Sequence, residues 1–269
     1  MSSVFLSFLL LFGVTVSFAN DFCRVTGGSV YNVASPTDGG IRLDVPQRFQ
    51  SRFDEWRTEL ISTEYGRGQW ERFAENKNFV LKIEVTGRRN KGAGTGSLEW
   101  NDNGELVGAT ITLGSDIDSG YPNSLYYPVL ESLSVLESET PDAARLLAVT
   151  KFSHELGHVD QILRESSELL QLQDKLVPQY SNIFLKNGWN TKDKKLVEMT
   201  ERMGGTPTEI WERREYKSEL IALNFLSERI AGESYLCDVL RRVRRNVDDN
   251  ARQYRVVFDG VSMPANCRQ

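Results

Sequence analysis

The chain is poor in the side chains that most often carry metal or redox chemistry. It has two histidines and three cysteines in 269 residues. Cys23, Cys237 and Cys267 form no Cys-x-x-Cys pair, which excludes a cysteine zinc cluster and a thioredoxin-type redox motif. A basic surplus is also absent: Lys and Arg number 32 against 37 Asp and Glu. The formal net charge is -5, whereas dedicated nucleic-acid binders carry a basic surplus, so no nucleic-acid partner is expected. Pro and Gly are not in excess, and there is no internal repeat or low-complexity linker. With 40% hydrophobic and 26% charged residues, the composition is that of a globular protein long enough to bury a real core. The basic, glycine-rich stretch from Arg88 to Gly96 lacks the strand-to-helix setting and the terminal Gly-Lys-Ser/Thr of a phosphate cradle, and is expected to be a mobile loop.

Long apolar runs are missing except at the N-terminus. Val4 to Phe18 is uncharged and apolar apart from Ser7, Gly13, Thr15 and Ser17, but falls short of the roughly 20 residues of a membrane span. Ser17-Phe18-Ala19 puts small residues at the two positions a signal peptidase inspects. Residues 1–19 are therefore expected to be a signal peptide, although the n-region has no Lys or Arg. Residues 20–269 are then one exported domain, periplasmic or secreted, with no stable membrane insertion after cleavage. In an oxidising compartment one disulfide is expected, leaving one thiol, with the pairing open.

Residues 21–43 are rich in Gly, Ser, Thr and Asp and are expected to be loops, with one short strand near Ser29–Tyr31. Pro46 opens a helix whose Phe49, Phe53, Trp56 and Leu60 recur at helical spacing, and a shorter helix is expected at Gln69–Glu75. Phe79–Val85 is the clearest strand. Ser97–Trp100 and Glu105–Leu113, joined by Asn101-Asp102-Asn103-Gly104, form a hairpin with favoured turn chemistry. Helices are expected at Ser124–Ser138, Pro141–Ser167, Leu169–Lys186, Lys192–Met203, Pro207–Ala231 and Ser234–Ala251. In the last of these, Arg244 and Arg245 lie four residues before Asp248 and Asp249, the pattern of a solvated helix face. The fold class is α+β, with a small, mostly antiparallel sheet in residues 20–122 and a helical half in 123–269.

Both histidines fall in His154-Glu155-Leu156-Gly157-His158. On a helix, residues four apart lie one turn apart on one face, so both imidazoles can reach one ion. Zn²⁺ favours such ligands, and a glutamate beside the first can take a proton from water. Val149, Phe152, Leu156, Val159 and Leu163 form an apolar stripe on this helix. Leu147, Thr150, Lys151, His154, His158 and Gln161 lie opposite, so the histidines must face another element or a cleft. Gly157 would let a second helix approach closely. A catalytic zinc site needs three protein ligands, and no third histidine exists, so the third must be a carboxylate. Thr206-Pro207-Thr208-Glu209 is a capping box opening a helix on which Trp211, Glu215, Glu219, Ala222 and Leu226 share a stripe. Two carboxylates on an apolar stripe are costly to bury unless something positive meets them. Glu215 is favoured as the third ligand, with Glu209 and Glu165 as rivals.

His154-Glu155-Leu156-Gly157-His158 followed by Glu215-Tyr216-Lys217-Ser218-Glu219 resembles the gluzincin metallopeptidases, whose second helix carries Glu-x-x-Ser/Ala-Asp. The resemblance covers only these two helices. It implies a zincin-like fold with Zn²⁺ on His154, His158 and Glu215, and with Glu155 as the catalytic general base. It also implies that Glu219, standing where the family often has Asp, hydrogen-bonds a ligand histidine. The implied substrate is a protein or peptide, bound on an antiparallel edge strand, for which Ala109–Leu113 is the candidate. The family's oxyanion donor is a Tyr, His or Arg, which leaves Tyr216, Tyr121 or an arginine here. The same zinc chemistry would serve a hydrolase of cell-wall peptides, and the fold without catalysis would serve a binding protein. Glu155 weighs against the latter, because a structural site has no need of a base.

Overall fold

A computed structural model describes residues 40–86, 90–119, 141–231 and 263–268, together with 237, 238, 240, 241, 244, 245 and 249. The expected signal peptide, the strand near residue 30, Cys23 and the helix at 124–138 lie outside the described residues. The elements are β1 (Gly40–Asp44), α1 (Gln50–Ile61), α2 (Glu64–Ala74), β2 (Val80–Val85), β3 (Ala93–Trp100), β4 (Leu106–Leu113), α3 (Pro141–Arg164), α4 (Ser167–Lys186), α5 (Lys194–Met203) and α6 (Pro207–Arg229). This is a mixed α+β chain with a four-stranded sheet first and helices after it.

The sheet order is β1-β2-β4-β3, and it corrects the expectation of a mostly antiparallel sheet. β1 pairs with β2 and β2 with β4 in parallel; only β3 and β4 are antiparallel. The reason lies in the connections. α1 and α2 carry the chain back to the starting end of the sheet before β2 begins, which makes the β1–β2 pair parallel. The hairpin then places β3 outside β4 and leaves β4 beside β2. β1 was hidden in a segment whose composition suggested loops. β4, which contains Ala109–Leu113, is an interior strand; the antiparallel edge strand is β3. The supposed mobile loop is likewise a strand from Ala93 onward, because Gly94 and Gly96 sit in the ladder opposite Thr112 and Thr110. A β-bulge follows, with Ser97 at φ 48°.

In β2 the residues alternate. Leu81, Ile83 and Val85 are buried, whereas Lys82 and Glu84 point outward and meet Asp44 and Thr112 on the polar face. The inner face joins Phe53, Trp56, Leu60 and Phe73 from α1 and α2 in one core with α3 and α6. α2 begins five residues earlier than its apolar spacing suggested, because the Thr63 hydroxyl caps the Gly66 amide. α4, α5 and the start of α6 close on a second cluster of Leu176, Tyr180, Leu196, Met199, Met203 and Ile210.

α3 is the axis of the molecule. Every residue from 146 to 159 is buried. Its apolar stripe meets the core, with the Phe152 ring 6.1 Å from Phe53 and 6.4 Å from Trp70. The opposite side is covered by β3 and α6. Gly157 is where α6 comes close: a Cβ there would lie 3.0 to 3.2 Å from the Ile221 side chain. Outside the core, Arg241 pairs with Asp238, three residues before it in the chain.

The disulfide joins Cys237 to Cys267 across a sequence separation of 30. Closing a loop of this length restricts the unfolded chain, so Cys237→Ser is expected to cost about 3–4 kcal/mol of stability. Denaturant unfolding under oxidising conditions checks this, and a loss below about 1 kcal/mol would contradict that loop-closure estimate.

Candidate metal centre

Two helices build the site. α3 presents His154 and His158 one turn apart, and α6 brings Glu215 against them. The capping box at Thr206 sets where α6 starts: the Thr206 hydroxyl accepts from the Glu209 amide, and the Glu209 carboxylate accepts from the Thr206 amide. Gln161 ties the two helices together, donating to Ser218 Oγ at 2.7 Å and to the Arg214 carbonyl at 3.0 Å.

The Nε2 atoms of His154 and His158 are 3.0 Å apart. The Glu215 carboxylate lies 3.3 Å from His154 Nε2 through Oε2 and 3.4 Å from His158 Nε2 through Oε1. All three side chains are buried, and their ligand atoms fall within 4.8 Å of one another. Donors at 2.0–2.1 Å from one centre, on the corners of a tetrahedron, are about 3.3 Å from each other. The observed spacings are close to that value, so the donor set fits a small cation. It is the one such group found among the described residues.

The electrostatics agree with a place for positive charge. Burial pushes the Glu215 carboxyl up, but His158 and His154 outweigh it and bring it down to about 2. Burial lowers the His158 imidazole, and Glu215 more than reverses this, so its pKa is raised. The Glu155 carboxyl is raised, chiefly by burial. Thr95 Oγ1 donates to Glu155 Oε2 at 2.8 Å. A carboxylate kept out of bulk water beside two imidazoles and the Glu215 carboxylate has the raised proton affinity that a general base requires.

Glu219 lies one turn beyond Glu215 and is fully buried. Neither of its oxygens makes a hydrogen bond, so the expected bond to a ligand imidazole is not formed. Burial first, and then the neighbouring Glu215 charge, push its carboxyl well above 4.5. An unfolded chain releases this proton at a lower pH than the folded one does, so the group's contribution to stability falls as pH rises above about 4.5. Glu219→Gln removes that loss. The metal-free variant is expected to melt at a higher temperature than the wild type at pH 7 and at the same temperature at pH 4. Equal melting at both pH values would refute it.

Both rival ligands are engaged elsewhere. Glu165 pairs with Arg214, and Glu209 is the cap of α6. Tyr216 is buried in the main core, and Tyr121 lies outside the described residues. Sequence reasoning missed Thr95, because its flanking glycines suggested a loop. It also missed the buried Lys151, whose Nζ donates to the carbonyls of Lys91 and Ile117. Gln69 was missed too: it accepts from Ser153 Oγ and donates to the Ser153 carbonyl, which fixes α2 against α3. A single polar side chain between two glycines in β3 was the available signal for Thr95.

No protein-family model, curated protein or solved structure matches the chain.

Proposed function

We propose that this chain is an exported zinc metallopeptidase of gluzincin type, with a zincin-like fold and a protein or peptide as substrate. The observation that carries this is the near-tetrahedral spacing of His154 Nε2, His158 Nε2 and the Glu215 carboxylate, beside a buried Glu155. Zinc at these donors would supply Lewis acidity, lowering the pKa of a water and polarising an amide carbonyl.

The remaining work falls to the chain. Glu155 takes the proton of the attacking water and delivers it to the leaving amine, which its position on α3 allows without a second acid. β3 is an edge strand whose second side pairs with no strand among the described residues. An extended peptide could add to it by main-chain hydrogen bonds. The bulge after Gly96 would limit that pairing to the stretch preceding Ser97. Burial of residues 146–159 of α3 keeps bulk solvent away from the base and strengthens each charge interaction around it.

Export rests on the N-terminal sequence. No helix among the described residues is long and apolar enough to cross a membrane. The test is metal analysis and a peptide-substrate screen on the wild type and Glu155→Gln after zinc reconstitution. One zinc per chain in both, with hydrolysis by the wild type alone, supports the reading. A wild type that binds no zinc overturns it.

A further inference from the structure

We propose that Thr95 is a positioning residue that orients the carboxylate of Glu155; the proposal rests on the peptidase reading above. Thr95 lies in β3 between Gly94 and Gly96, opposite Ile111 of β4, and is 6% exposed. On this part of the edge strand the Thr95 hydroxyl is the polar group that reaches α3. That hydroxyl is 2.8 Å from Glu155 Oε2 and 3.1 Å from the Glu155 carbonyl oxygen. A hydroxyl has one hydrogen to give, and an ionised carboxylate is the stronger acceptor.

A structural role alone would not require this arrangement. The Glu155 carbonyl by itself would satisfy a buried threonine hydroxyl. Instead the glutamate side chain is turned so that one oxygen meets the strand, which leaves Oε1 as the proton acceptor. The contact also fixes the base relative to the strand expected to dock substrate. Four residues earlier in the chain on both sides, Lys151 Nζ donates to the carbonyl of Lys91, two residues before β3 begins, at 2.9 Å. The start of β3 and the segment leading into it are therefore tied to α3 at two points, 91 to 151 and 95 to 155. A base held at both the helix and the substrate strand keeps its distance to a bound peptide, and errors of about 1 Å in such a distance cost on the order of 100-fold in rate.

The experiment compares Thr95→Val, Thr95→Ser and the wild type, each reconstituted with zinc. Zinc content, kcat and KM on one peptide, and a crystal structure of each are measured. Thr95→Val keeps the shape and strand preference of threonine and removes the donor. Its kcat is expected to fall about 10–100-fold, the effect typical of losing a partner that orients a catalytic group, with zinc content and KM unchanged. In its crystal structure the Glu155 carboxylate is expected to leave the position it holds in the wild type, and Thr95→Ser is expected to restore both properties. Should Thr95→Val not fold, Thr95→Ala carries the same comparison without a buried extra methyl.

An unchanged kcat, or a Glu155 carboxylate that stays in place without the hydroxyl, overturns the proposal. So does a fall in kcat that comes with loss of zinc and that serine does not rescue, because that marks a packing role. A wild type that binds zinc yet cleaves no peptide overturns the peptidase reading instead. The crystal comparison still decides the role of Thr95.

Discussion

Glu155→Gln is expected to lower kcat by about 10²–10⁴-fold while leaving one zinc per chain, the range that a positioned general base contributes. Glutamine matches glutamate in shape, and its amide oxygen can still accept from Thr95, so the packing of α3 is preserved. What it lacks is the basic oxygen. The carboxyl of Glu155 is raised by its burial, which brings its affinity for a proton nearer to what a base needs at neutral pH. Steady-state kinetics with parallel metal analysis makes the measurement. Retained activity in a zinc-loaded Glu155→Gln would remove this residue from the chemistry and sink the assignment of the base.

Glu215→Ala is expected to weaken zinc binding by about 3–5 kcal/mol, the cost of taking one partner from a buried charged group. That corresponds to roughly two to three and a half decades in Kd. The two histidines alone would leave the ion with too few protein donors. Competition with a chelator of known affinity measures the change. Glu209→Ala is the control: it should keep zinc affinity and cost about 1 kcal/mol of helix-cap stability. If Glu209→Ala lost the metal and Glu215→Ala kept it, the ligand assignment would be wrong, even though Glu215 is the carboxylate the fold brings to the histidines.

Local chemistry made a good part of this protein legible without coordinates. Thr206-Pro207-Thr208-Glu209 announced α6 because a capping box is satisfied within four residues, and the structure shows both of its hydrogen bonds. The β3–β4 turn was legible for the same reason: the Asn101 side chain bonds the amides of Asn103 and Glu105 inside the turn itself. Gly157 announced a close helix approach, and Ile221 provides it. Where the sheet was misjudged, the missing information was non-local. Whether β2 runs parallel to its neighbours depends on how α1, α2 and the β3 hairpin return the chain, and strand periodicity carries no record of that. β1 is a five-residue strand with one buried position, too weak a pattern to recognise before β2 is there to pair with it.

The same division runs through the candidate metal centre. The sequence alone determined that His154 and His158 share one helix face, because a four-residue spacing is a property of the helix. It also ruled out a third histidine, because the chain contains no other, and so directed the search to the carboxylates. Only the tertiary structure shows which carboxylate stands beside the two imidazoles. Glu165, Glu209 and Glu215 are alike as side chains; Arg214 holds the first, Thr206 holds the second, and only the third is carried to the imidazoles by the packing of α6 on α3. Glu219 shows the limit of spacing from the other direction. Its place on the stripe was correct, but a hydrogen bond needs distance and angle as well as the right face, and its oxygens meet no partner. Thr95 was beyond sequence reasoning altogether, since it reaches Glu155 from 60 residues away. Contacts of that kind exist only once β3 has been laid along the central helix.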